Sequence, residues 1–120
     1  MNITDINHLK ELKHLRAVGE CGIIDNSIKK LSNLETLNMS ENENILNIDH
    51  MTKLKELDAD GLYELNNEFI KKLTNLERLS VEHNMDINDV SHMTRLREIK
   101  YSQDRDEIIT NRIEIHHGSI

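Results

Sequence analysis

The sequence predicts an α/β solenoid, a stack of similar coils that share one core and alternate short strands with short helical turns. Three observations predict it. Aliphatic residues recur in six columns at locked spacing. Each repeat carries one apolar–x–apolar alternation, the period of a strand. Large rings are nearly absent, with one Phe, two Tyr and no Trp among 120 residues. A core without rings suits narrow, regular coils filled by Leu, Ile, Val and Met.

The columns run in order along each coil. The first is Ile6, Ile28, Ile48, Ile70 and Val90, and the second is Leu9, Leu31, Met51, Leu73 and Met93. The third is Leu12, Leu34, Leu54, Leu76 and Leu96, and the fourth is Leu15, Leu37, Leu57, Leu79 and Ile99. Ala17, Met39, Ala59, Val81 and Tyr101 form the fifth. The sixth is Ile23, Ile45, Leu65 and Ile87, and it breaks at Glu107.

Third-column leucines at 12, 34, 54, 76 and 96 stand 22, 20, 22 and 20 residues apart, so the larger unit is 42 residues. The length difference falls in one place. Ile23 to Ile28 and Leu65 to Ile70 are five residues apart, whereas Ile45 to Ile48 and Ile87 to Val90 are three apart. The longer segments, IIDNSIKKL and LNNEFIKKL, place Asn or Ser ahead of an apolar-periodic run, as a short helix's N-cap requires. The shorter ones, ILNIDHMTKL and INDVSHMTRL, predict a tighter turn leading into a brief helical or 3₁₀ segment. The stretches LETLNM, LKELDA and LERLSV predict strands, which stack in parallel about 4.8 Å apart.

Two of these segments, LSNLETLNMSEN and LTNLERLSVEHN, resemble the leucine-rich repeat pattern LxxLxLxxN. The continuation NMDINDVSHMTRLREI is similar to the subclass of about 22 residues found in internalins and in a regulatory subunit of a protein phosphatase. The resemblance covers residues 3–104. It implies a right-handed leucine-rich repeat solenoid of five coils, with a parallel concave sheet and short helices or 3₁₀ turns on the convex side. It also implies that ligands meet the concave face. One departure stands out: the family's Asn ladder appears only at Asn42 and Asn84, with Glu20, Leu62 and Asp104 at the equivalent sites. The odd coils must satisfy those backbone groups in another way.

Residues 1–104 are thus expected to form the repeat domain, its first coil half-formed because residues 1–11 supply only the second half of a coil. The first sheet edge is then uncovered unless another segment or chain covers it. Residues 105–120 are expected to form a C-terminal capping segment. Extending the 22-residue step reaches Arg112, Ile115 and Gly118, of which only Ile115 is apolar. The alternating Ile113, Glu114 and Ile115 predict a capping strand or short hairpin.

Composition excludes several functions. A net charge of −7 argues against nucleic acid as a partner. No apolar stretch is long enough to span a bilayer, and MNITDINHLK lacks the basic and apolar regions of a signal peptide. The single Cys21 excludes an internal disulfide framework and fits a reducing compartment. The expectation is a soluble cytoplasmic protein without a membrane partner.

The candidate chemistry is sparse. His8, His50 and His92 are equivalent and 42 residues apart, hence two coils and about 10 Å from each other, too far to share one metal. They are expected to be solvated turn histidines. His116 and His117 lack a third ligand nearby in sequence. Cys21 has no triad-like neighbours and is expected to play a small apolar role, buried or half-buried. Gly19, Gly22, Gly61 and Gly118 do not form a phosphate-binding loop. No catalytic residue, metal site or cofactor is expected.

The surface is more informative. Lys13, Glu35, Lys55, Glu77 and Arg97 follow the third column with alternating sign and predict a charge ladder between coils. Two further columns are expected to face outward: Arg16, Asn38, Asp58, Ser80 and Lys100, then Val18, Ser40, Asp60, Glu82 and Ser102. Asp58, Asp60 and Glu82, with Glu56 and Glu41 alongside, form an acidic middle between basic ends. Either this is a solubilising face or it is a site for a basic segment of a partner protein. The candidate partner-binding residues are Arg16, Asn38, Asp58, Asp60, Ser80, Glu82 and Lys100, with Tyr63 as the one candidate aromatic anchor on the rim. The expected function is a non-catalytic protein–protein interaction module. The alternative is an assembly subunit that forms a homo-oligomer by stacking through its terminal coils.

Overall fold

A computed structural model describes residues 5–102, 108–110 and the main chain of 116–117. Its strands are β1 (His14–Arg16), β2 (Thr36–Asn38), β3 (Glu56–Asp58), β4 (Arg78–Ser80), β5 (Glu98–Lys100) and β6 (His116–His117). They form one parallel sheet in chain order. Each strand therefore belongs to one coil, and the coils are numbered here by their strands. The stack is elongated, measuring 45 × 24 × 21 Å.

The columns fill the core. From Ile28 onward every member of the first five columns is buried, as are Ile45, Leu65 and Ile87 of the sixth. In each strand the middle residue (Leu37, Leu57, Leu79, Ile99) turns inward and its neighbours turn to the other face, where Ser80 alone of those in β2–β5 is buried, the period-2 geometry of a pleat. Each fully buried Leu or Ile contributes about 1.5–3 kcal/mol. Coil 1 is different: Ile6, Leu12, Leu15 and Ile23 are only partly buried, and Leu9 is 42% exposed.

The alternation of coil length becomes an alternation of local structure. Coils 1 and 3 lead into helices, α1 (Asp25–Ile28) and α2 (Asn67–Ile70). In α2 the Asn66 Oδ1 caps the helix by accepting from the Glu68 N–H at 3.0 Å. In α1 the N-cap position is Ile24, whose N–H instead donates to the Ser27 Oγ at 3.0 Å. The even segments hold no helix. They advance by single turns, Met51 N–H to the Ile48 carbonyl at 2.9 Å and Met93 N–H to the Val90 carbonyl at 2.9 Å, each closing a three-residue step. The extra two residues of an odd coil are what the helical turn needs.

A second alternation lies just after each strand. The chain there takes a left-handed conformation at Gly19, Glu41, Gly61 and His83, with φ of 63°, 61°, 75° and 67°. Coils 1 and 3 place Gly at this position; coils 2 and 4 accept a side chain in a region that disfavours one.

Side chains staple the coils in pairs. Asn42, fully buried, donates from Nδ2 to the carbonyls of Ala17 (2.8 Å) and Ile23 (3.0 Å) in coil 1. Asn84 does the same to Leu62 (2.7 Å) and Leu65 (2.8 Å) in coil 3. The carbonyls of the odd coils, which have no Asn of their own, are thus satisfied by the Asn of the next coil. Asp25 Oδ1 accepts from the Leu46 N–H at 2.8 Å, and Asn67 Oδ1 accepts from the Asn88 N–H at 3.0 Å. Nε2 of His50 lies 3.0 Å from the Ile28 carbonyl, and that of His92 lies 3.0 Å from the Ile70 carbonyl. Each staple joins coil 1 to coil 2, or coil 3 to coil 4.

Two expectations need correction. His50 and His92 are half-buried staples rather than solvated turn residues, because the helix of the preceding odd coil presents its last carbonyls to them. Cys21 is exposed, because it projects from the turn rather than into the core, which the neighbouring Ile23 enters.

The tail continues the stack with steps shorter than the 22 residues that the alternation calls for at this point. Asp89 bridges Ile109 in parallel, 20 residues on, and Glu98 pairs with His116, 18 residues on. A parallel sixth strand is not the second arm of a hairpin with β5. Ile108 is buried against the core, next to the position where the sixth column breaks. The expected alternation at 113–115 and the break at Glu107 itself lie outside the described residues.

Candidate functional site

The parallel register places Arg16, Asn38, Asp58, Ser80 and Lys100 side by side on the outer face of the sheet. Two hollows on this face meet at Glu56 and Asp58. One, about 350 Å³, reaches back to His14, Arg16, Thr36 and Asn38. The other, about 200 Å³, reaches on to Arg78, Ser80, Glu98 and Lys100. The acidic centre therefore lies at the junction of two shallow depressions with a cationic residue at each far end.

The expected site residues do not play equal parts. Ser80 is buried, at 6% exposure, and its Oγ donates to the Asp60 Oδ1 at 2.6 Å. The same Asp60 oxygen accepts from the Glu82 N–H at 2.9 Å. Ser80 is thus corrected from a surface contact to a packing residue, and one oxygen of Asp60 is committed to holding coil 4. Asn38 is half-buried, with its Oδ1 accepting from the Ser40 N–H at 3.2 Å. Arg16, Asp58 and Lys100 remain exposed, and Glu82 is half-exposed.

Asp58 is the electrostatic centre. Partial withdrawal from water in the hollow raises its carboxyl pKa above the ordinary value; Asp60 and Glu56 push the same way, and Lys100 opposes them. A cationic group placed between Asp58 and Asp60 would relieve that repulsion.

A third outward column was missed from the sequence: His14, Thr36, Glu56, Arg78 and Glu98, two residues ahead of the Arg16 column on the same face. Strand parity is the signal that could have found it. Among the described residues it carries the shortest ion pair between coils, Arg78 to Glu56 at 3.0 Å. The expected charge ladder shows two rungs, Lys55–Glu35 and Arg97–Glu77, each at 3.9 Å and exposed, a geometry worth at most about 1 kcal/mol.

The rim beyond the strands has a different character. Leu46, Tyr63 and Met85 project from successive turns and are exposed, as are Ile24 and Ile109. Tyr63, at 68% exposure, occupies the rim position expected of it. Among the described residues no group of three or more His, Cys, Asp or Glu is arranged to hold a metal ion, and no helix is long and apolar enough to cross a membrane.

A scan against protein-family models finds no match to this chain, and a search of curated proteins finds none either.

Proposed function

We propose that the chain is a non-catalytic, leucine-rich repeat type interaction module that binds a basic segment of another protein in the cytoplasm through the outer face of its sheet. In this reading the solenoid is right-handed and the sheet is its concave side. One observation carries the reading: Asp58 and Glu56 stand where two hollows meet, and Asp58 has close carboxylate neighbours and no ion pair among the described residues. A rigid sheet that holds like charges together presents a preorganised complement to Lys or Arg side chains. Arg16 and Lys100 at the two ends would set the length of the segment and repel a longer basic run.

The test is titration of the ¹⁵N-labelled chain with a synthetic Lys/Arg-rich heptapeptide. Amide shifts centred on residues 56–60 are expected, with binding weakened about tenfold by Asp58→Lys and by raised salt. Equal binding by the wild-type and Asp58→Lys chains would overturn the reading.

A second reading, assembly through the first coil, is favoured by the exposure of Leu9 and the partial burial of Ile6, Leu12, Leu15 and Ile23, whose column mates are buried. Sedimentation over a hundredfold concentration range tests it; a concentration-independent monomer would exclude it.

A further inference from the structure

The junction between coils 2 and 3 is built unlike its neighbours. At the position of Asn42 and Asn84 coil 3 has Leu62, which is buried and has no amide to reach back to coil 2. The sheet hydrogen bonds still cross, Met39 N–H to the Asp58 carbonyl at 2.8 Å and Glu41 N–H to the Asp60 carbonyl at 2.9 Å. Beyond them no side-chain hydrogen bond joins residues 42–47 to residues 62–67. In the neighbouring pairs Asn42, Asp25, Asn84 and Asn67 close the same space.

The unstapled seam opens a groove. A half-enclosed pocket of about 120 Å³ lies between Leu46 and Tyr63, floored by Leu62 and Leu65 and edged by Glu43 and Glu64. It continues along Leu46 and Leu65 into a shallower hollow beside Phe69 and Glu68. Leu46 is 65% exposed and Tyr63 is 68% exposed, so two large apolar side chains flank the opening and face water. A dry cavity of about 150 Å³ admits benzene; this pocket has room for one branched aliphatic side chain.

Charge selects the occupant. Residues 38–51 and 59–70, which form both walls, contain no Lys or Arg, and neither do the equivalent rim segments 17–28 and 80–94. Glu43 and Glu64 have no ion pair among the described residues, and the nearest lysine of the hollow, Lys71, is held by Glu68 at 2.6 Å. A second copy meeting this rim by a two-fold would set acid against acid, and an anionic bilayer would be repelled in the same way.

We propose that the groove at the seam of coils 2 and 3 docks a bulky aliphatic side chain flanked by Lys or Arg, carried by a segment of another protein. The proposal rests on the reading of the chain as a binder of basic segments and adds a second contact, on the rim rather than on the sheet face. The apolar side chain supplies the specificity that charge alone does not, because it must be desolvated to enter.

The experiment uses two synthetic nonapeptides, each with two Lys-Arg pairs flanking a central residue, Leu in one and Ser in the other. Titration into the ¹⁵N-labelled chain is expected to shift amides 42–46 and 62–65, with the Leu peptide binding about tenfold tighter, as burial of one leucine implies. Tyr63→Ala, at an exposed position, should abolish that preference; Leu62→Asn, which supplies the missing amide, should do the same. Equal affinity for the two peptides would overturn the rim site. Shifts confined to residues 56–60 would overturn it while leaving the sheet-face reading standing. Rim shifts that Asp58→Lys does not weaken would support the rim site and remove the sheet face. Binding of neither peptide would sink both.

Discussion

The junction of coils 3 and 4 and the junction of coils 2 and 3 have the same sheet ladder and different rims. Across the first, Asn84 satisfies two buried carbonyls, Asn67 receives two amides and His92 reaches a helix carbonyl. Across the second, Leu62 faces the corresponding space and a groove opens. The difference teaches that this solenoid is not a uniform stack. It is built of stapled pairs of coils, and the pairs meet at a joint held by sheet bonds, apolar packing, the Asp60 N–H to Ser40 Oγ and Lys53 Nζ to Asn33 Oδ1 hydrogen bonds, and the Lys55–Glu35 and Lys72–Asp49 ion pairs. A repeat's stability is set by its own coil and by its interfaces, so unequal interfaces give unequal cooperativity along the chain.

The largest test of that contrast removes a staple. Asn84→Ala orphans two buried carbonyls and is expected to cost about 2–4 kcal/mol in urea unfolding. A loss below about 1 kcal/mol would mean that the amide is not what holds the pair. At the seam the outcome should depend on chemistry. Leu62→Ala should cost about 2–3 kcal/mol of packing, whereas Leu62→Asn should recover most of that by supplying the amide that Asn42 and Asn84 supply elsewhere. Equal losses for the two variants would show that the seam cannot accept a staple.

The left-handed turn position gives a smaller test. Glu41→Gly is expected to stabilise by up to about 1 kcal/mol, because Glu pays a steric cost at a φ of 61°. Gly61→Ala should destabilise, since φ is 75° there and the new Cβ would approach the Glu41 Cγ to 2.9 Å. Thermal unfolding reads both; the same sign for the two would break the odd–even distinction.

The smallest effect is electrostatic. The folded-state pKa of Asp58 is raised above 3.8, so the folded chain holds that proton more tightly than the unfolded chain. Stability therefore falls as pH rises from the unfolded value through the raised folded value, and the loss is complete above it. Asp58→Asn should remove this step and stabilise at neutral pH by less than about 1 kcal/mol, since the group is open to solvent. A loss of stability in the variant would show instead that the carboxylate is held by a favourable partner.

Much of this arrangement was legible in the sequence, because a repeat states its own alignment. The 22- and 20-residue steps located the strands, the buried columns and the helices of the odd coils. The gap at Leu62 could be read as a broken Asn ladder. Its consequence could not, since the carbonyls that an Asn serves belong to the preceding coil, and which coil goes unserved is a fact of packing. Exposure of Cys21 escaped because a small sulfur side chain fits core and turn alike. The roles of Asp60 and Ser80 escaped because two polar side chains in neighbouring coils can face a partner or each other, and at 2.6 Å they face each other. The tail escaped because its step shortens to 20 and then 18 residues, so extrapolating 22 misaligned it.

Native-state hydrogen exchange tests the stapled-pair architecture most directly, through amides in the same sheet. Met39 and Glu41 donate across the seam to Asp58 and Asp60, whereas Ala59 and Gly61 donate across the stapled junction to Ser80 and Glu82, with lengths of 2.8–2.9 Å throughout. Met39 and Glu41 are expected to exchange at least about tenfold faster under mild denaturant, because the seam opens before the pair does. Equal protection at the two junctions, or greater protection at the seam, would contradict it.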